Sequence, residues 1–115
     1  MKIMDTSEIV KSKAHITIEI IEYIPNSVVI KTILKKSTGN ISVFSFDSGE
    51  GLAEKTIPFD TFVQIIDGSA EIVIGEKTNF LETGQSIIIP AHASNFVISN
   101  GRFKMIQTMI KSGYE

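Results

Sequence analysis

The chain has 115 residues, 43% of them hydrophobic and 21% charged, with a formal net charge of −2. That describes a folding sequence with room for one hydrophobic core and no inter-domain cleft. No cysteine and only two histidines, His15 and His92, exclude a disulfide scaffold, a thiol nucleophile, a thiolate metal site and a three-histidine site, and the mild acidity speaks against a general nucleic-acid binder.

The N-terminal stretch from Met1 to Lys13 carries Asp5, Glu8, Lys11 and Lys13 and lacks the apolar core of a secretory signal. No apolar run approaches the ~20 residues that cross a membrane; Ile87-Ile88-Ile89 stops at Pro90. A cytoplasmic protein without membrane contact is expected. Thr6 to Lys13 is the only weakly helical stretch, with Thr6 or Ser7 as its cap and Glu8 in its first turn.

Isoleucine is the commonest residue, and β-branched side chains suit a pleated surface better than a helix. Ile16, Ile18 and Ile20 alternate with Thr17 and Glu19, a period of two that predicts a strand before Pro25-Asn26-Ser27. Further strands are predicted at Val28 to Leu34, Ile41 to Phe46, Phe62 to Ile66, Glu71 to Ile74 and Lys77 to Leu81. Ile87 to Ile89, Phe96 to Ile98 and Phe103 to Ile110 complete the set. Turn residues separate them, among them Asp67-Gly68, Gly75-Glu76, Thr83-Gly84 and Asn100-Gly101. Short strands with turn signals every 8–12 residues (roughly) mark a sandwich or barrel. The phenylalanines at 44, 46, 62, 80, 96 and 103 are read as core residues.

Two stretches carry a resemblance. Gly49, five residues, Lys55-Thr56-Ile57, three residues, Thr61, six residues and Gly68 keep the spacing of the first motif of the cupins. Gly84, five residues, Pro90-Ala91-His92, two residues, Asn95, three residues and Ser99 keep the spacing of the second. The phrases Gly51-Leu52-Ala53-Glu54, Phe59-Asp60 and Asp67-Gly68-Ser69-Ala70-Glu71 are also similar to small single-domain bacterial cupins. The resemblance spans residues 28 to 111 and rests on glycine, proline and hydrophobic positions. It implies an all-β, cupin-type double-stranded β-helix (jelly-roll) barrel, one domain over 1–115. Residues 1–27 would be an extension that packs on or pairs with the barrel or a dimer partner. A symmetric homodimer is the assembly that the resemblance implies.

Metal-binding cupins hold their ion with two histidines and a glutamate of the first motif and a histidine of the second. The matching positions here are Lys55, Ile57, Thr61 and Asn95. An ammonium repels a divalent ion, isoleucine cannot ligate, and neutral threonine and asparagine oxygens do not suit iron, zinc or nickel. No metal and no cofactor is expected.

By analogy with the ligand positions, Lys55, Ile57 and Thr61 face inward, Val63 and Ile65 follow by period two, and Asn95, Val97 and Ser99 face them. A mostly apolar cavity with a few polar groups is the composition of a small-molecule site. The candidate ligand-binding residues are therefore Lys55, Ile57, Asp60, Thr61 and Asn95. Lys55 is a candidate base, imine-forming amine or carboxylate anchor if buried, and otherwise a partner of Glu54 or Asp60. Asp60 is a general base or a turn aspartate, and Asn95 contacts a ligand or the backbone. His92 stands on the mouth loop, where a metal held with Asp60 and Thr61 would be unusual. His15 reads as a solvated strand-edge histidine. Metal-independent small-molecule binding is the favoured function. An enzyme using Lys55 on a carbonyl or carboxylate compound, an atypical metal enzyme and a pure interaction module filled by its own side chains remain as alternatives.

Overall fold

Alternation along each strand becomes two distinct faces once the strands pair. The computed structural model describes residues 1–113. Ten strands run in chain order: β1 (Lys2–Asp5), β2 (Val28–Lys36), β3 (Gly39–Phe46), β4 (Gly51–Lys55), β5 (Thr61–Asp67), β6 (Ser69–Ile74), β7 (Lys77–Glu82), β8 (Ser86–Ile89), β9 (Asn95–Ile98) and β10 (Phe103–Ile110). They form a six-stranded sheet in the order β1-β2-β3-β10-β5-β8 and a four-stranded sheet in the order β4-β9-β6-β7. Among the described residues only the β1–β2 pair is parallel; the others are antiparallel. The two sheets face each other as an all-β jelly roll.

The lumen between them is apolar at the end where β2, β3 and β10 meet. Val28 opposes Phe46, and Phe46 opposes Phe103. The Phe46 and Phe103 rings stack with centroids 4.2 Å apart and planes 7° from parallel. Val63, Ile65, Ile72 and Met105 close around them, each at most 1% exposed. Gly68 turns β5 into β6 at φ 81°, and a Cβ there would collide with the Arg102 carbonyl, so this position requires glycine on both counts.

The predicted strands from Val28 onward are present, with ends extended by at most two residues. Two strands went unpredicted. β1 has only four residues, two of them charged, and is held by its neighbour: the Val28 N–H donates to the Met1 carbonyl at 2.9 Å and Lys31 pairs with Asp5 at 2.8 Å. β4 reads Gly-Leu-Ala-Glu-Lys and has no β-branched residue.

The N-terminal segment departs from expectation. No helix forms over Thr6 to Lys13; Ser12 has φ 59°, and the Glu8 carboxylate accepts from the Lys35 N–H instead. No strand forms over Ile16 to Ile24 either, only a 3-10 turn at Thr17–Glu19. His15 is accordingly not on a strand edge; its Nε2 lies 3.1 Å from the Val10 carbonyl. The segment touches the edge of β2 at Ile9, whose N–H donates to the Ile33 carbonyl at 3.2 Å, and residues 18–23 then cross the outer face of the six-stranded sheet. Side chains anchor it: Lys104 Nζ donates to the Ile18 carbonyl, Ser45 Oγ to the Glu22 carbonyl at 2.8 Å and Tyr23 OH to Asp67 Oδ2 at 2.6 Å. Ile21 is buried there against Val29 and Val43, with Ile20 beside it. Phe80 also departs from expectation: it is 72% exposed on the outer face of β7.

Candidate functional site

The polar end of the lumen lies opposite the stacked phenylalanines, where β4 ends and β5 and β9 begin. A register shift shapes it. Leu52 opposes Val97, but Lys55 opposes Asn95, so β4 uses three residues where β9 uses two. Period two from the inward Leu52 would turn Glu54 into the lumen. The bulge turns Lys55 inward instead. Glu54 lies exposed, and its Oε1 accepts from Ser94 Oγ at 2.6 Å.

Lys55 is half-buried, and its Nζ donates to Asn95 Oδ1 at 3.2 Å. Burial holds its pKa below the usual lysine range, and the charge of Lys2 adds to the depression. Among the described residues no ion pair reaches Lys55, so neither Glu54 nor Asp60 is its partner. Asn95 is fully buried and occupied on both sides of its amide, because Nδ2 donates to the Lys55 and Ala93 carbonyls at 3.3 and 3.2 Å. Thr61 is buried at the start of β5, with Oγ1 donating to the Phe59 carbonyl at 3.4 Å.

The remaining candidates sit on the loops above. Ile57 is half-buried, and its carbonyl accepts from the His92 N–H at 2.8 Å. Asp60 Oδ1 accepts from the Ala91 N–H at 2.9 Å and ties the β4–β5 loop to the turn after β8. His92 is exposed and holds φ 68°, a left-handed conformation in the place of the second motif's glycine. The structure thus brings Lys55 and Asn95 into contact, buries Thr61 at the start of β5, and places Ile57 and Asp60 on the loop between β4 and β5. Val63, Ile65, Val97 and Ser99 are buried as alternation predicts.

The donor set does not fit a metal. Asn95 Oδ1 already accepts from an ammonium, Thr61 Oγ1 donates to backbone, and Ile57 has no donor atom. Among the described residues no group of three or more His, Cys, Asp or Glu side chains stands close enough to hold an ion. Three surface depressions lie elsewhere, one of about 390 Å3 between β7 and β8 and one of about 220 Å3 beside the β2–β3 hairpin.

No family model matches the chain, and no curated protein matches it. Solved structures do. A conserved protein of unknown function from Streptococcus pyogenes superposes with a TM-score of 0.86 at 25% identity, over 93% of this chain and 94% of that one. A cupin superfamily protein from Desulfitobacterium hafniense superposes at 0.85 with 27% identity, over 90% and 95%. The chain is a cupin. A cupin 2 conserved barrel domain protein from Leptotrichia buccalis also matches, at 0.79 and 27%, over 82% of this cupin and 46% of that chain. No helix among the described residues of this cupin is long and apolar enough to cross a membrane.

Proposed function

We propose that this cupin binds a small carboxylate-bearing or otherwise anionic molecule at the polar end of its lumen, without a metal. One observation carries the reading: a half-buried ammonium with a single amide oxygen as its partner and no ion pair among the described residues. A buried cation in want of a counter-charge is a site for an anion. Thr61 and Asn95 form its polar wall, Ile57 its apolar one, and Asp60 holds the rim in place. The packed phenylalanines fill the rest of the lumen and keep the ligand small. The protein is proposed to act in the cytoplasm as a homodimer, without nucleic acid or membrane partners.

Titration with acetate and inorganic phosphate, followed through the Lys55 ε-carbon signal in protein labelled with 13C-lysine, tests the reading. Saturable shifts of that signal, with a heat of binding by calorimetry that is lost in Lys55→Met, support it. A signal unmoved by either anion overturns it in favour of an interaction module.

The depressed pKa of Lys55 favours a second reading, in which its neutral amine attacks a carbonyl carbon and water leaves as the imine forms. Borohydride reduces such a C=N bond to a stable secondary amine. A mass adduct at Lys55 with small aldehydes or keto acids supports that chemistry, and an unmodified Lys55 across the panel removes it.

A further inference from the structure

The barrel has two seams where sheet edges meet. The depression between β7 and β8, lined by Thr78 to Leu81 and by Gln85 to Ile87, marks one of them. Strand order then puts the opposite edges, β1 and β4, along the other. A contact across that second seam bears this out: the Met1 amine lies 3.8 Å from Glu50 Oε1, one residue before β4.

Lys2 stands on this edge in register with Val28. Neighbours in register point to the same face of a sheet, and Val28 is buried in the lumen cluster. Ile3, in register with Val29, points the other way and joins the outer cluster with Ile21 and Val43. Lys2 therefore projects on the lumen side of the seam, from the level of Val28 and Phe46, next to the strand whose far end carries Lys55. The effect of its charge on Lys55 is the electrostatic consequence of that placement.

The nearby carboxylates are engaged elsewhere. Asp5 pairs with Lys31, Glu50 with the Met1 amine, Glu54 accepts from Ser94 and Asp60 from the Ala91 N–H. Among the described residues no ion pair reaches Lys2 or Lys55. Lys2 and Lys55 are like charges on one seam, neither in an ion pair among the described residues, and a ligand carrying two negative charges relieves both at once.

We infer that Lys2 is a specificity-determining residue of the Lys55 site, and that the preferred ligand is a small dianion, a dicarboxylate or a phosphate, held between two ammonium groups across the β1–β4 seam. The inference rests on the anion-binding reading above and makes an N-terminal strand part of the site.

The test compares acetate with malonate and with inorganic phosphate on the full chain, in the wild type, Lys2→Gln, Lys2→Arg and Lys55→Met. Malonate separates a dicarboxylate preference from a phosphate one. Lys2→Gln is expected to weaken at least one dianion about fivefold, the worth of one partly exposed charge pair. Acetate affinity should change much less, and Lys2→Arg should restore the dianion. In the ligand-free protein, the Lys55 ε-carbon should titrate at higher pH in Lys2→Gln. Equal dianion affinity in Lys2→Gln and wild type, with binding still lost in Lys55→Met, overturns the role of Lys2 and leaves the anion site standing. An absence of binding by any anion in the wild type removes both.

Discussion

The two ends of the lumen are built from the same strands and solve opposite problems. At the β2–β3–β10 end, Phe46 and Phe103 stack at 4.2 Å and Ile72 is fully buried, so apolar area and close packing hold the sheets together. At the β4–β9 end, Lys55, Thr61 and Asn95 replace apolar contacts with directed hydrogen bonds. The first end is held chiefly by apolar packing; the second satisfies its polar atoms one by one. One barrel separates apolar packing from polar contacts along its axis, because an uncompensated charge is tolerable only where solvent or a ligand can reach it.

The largest expected effect belongs to the packed end. Phe103→Ala should cost about 3–5 kcal/mol, since the two sheets cannot collapse into the space that the ring leaves. Urea unfolding measures it, and a loss under 1 kcal/mol would show that the two ends do not differ in packing. At the polar end Asn95→Ala should cost about 1–3 kcal/mol, because the Lys55 ammonium and two carbonyls lose their partner together. A cost equal to that of Phe103→Ala in the same unfolding series would erase the distinction.

The rim is expected to respond in the other direction. His92 holds a left-handed backbone at φ 68° that glycine adopts without strain. His92→Gly should raise stability by about 1 kcal/mol, visible as a higher thermal midpoint. A lower midpoint would mean that the His92 side chain contributes more than its backbone conformation costs.

The smallest effect is one of pH. The folded-state pKa of Lys55 lies below the ordinary value of 10.5, so over the interval between the two the unfolded chain holds the proton and the folded chain does not. Stability therefore gains with pH across that interval, and the penalty of the buried charge is fully present below it. In Lys55→Met this contribution should be absent. Parallel denaturation curves of variant and wild type at pH 7 and pH 10 would contradict it if their difference did not change.

Much of this was legible in the residues. Period-two alternation and turn glycines located β2, β3 and β5 to β10, because a half-buried strand writes its two faces directly into the sequence. The motif frame pointed to Lys55, Thr61 and Asn95. The same alternation misled at Ile16 to Ile20, where the chain lies across a sheet face and pairs with no strand edge. β1 was illegible for the complementary reason: its four residues carry little pattern, and β2 supplies the order. Phe80 shows that an aromatic side chain in a strand does not by itself belong to the core.

The sequence by itself determined an all-β barrel, the residues that fill its packed end, and a set of side chains at Lys55, Ile57, Thr61 and Asn95 without imidazole, thiolate or carboxylate donors. These are local or compositional properties, carried by alternation, turn chemistry and donor atoms. The tertiary structure decided which charge enters the lumen and what stands beside it. The bulge in β4 exchanges Glu54 for Lys55, and the pairing of β1 with β2 brings Lys2 to the same seam. Register and edge placement depend on strands far apart in the chain, and a shift of one residue reverses the face that each side chain occupies.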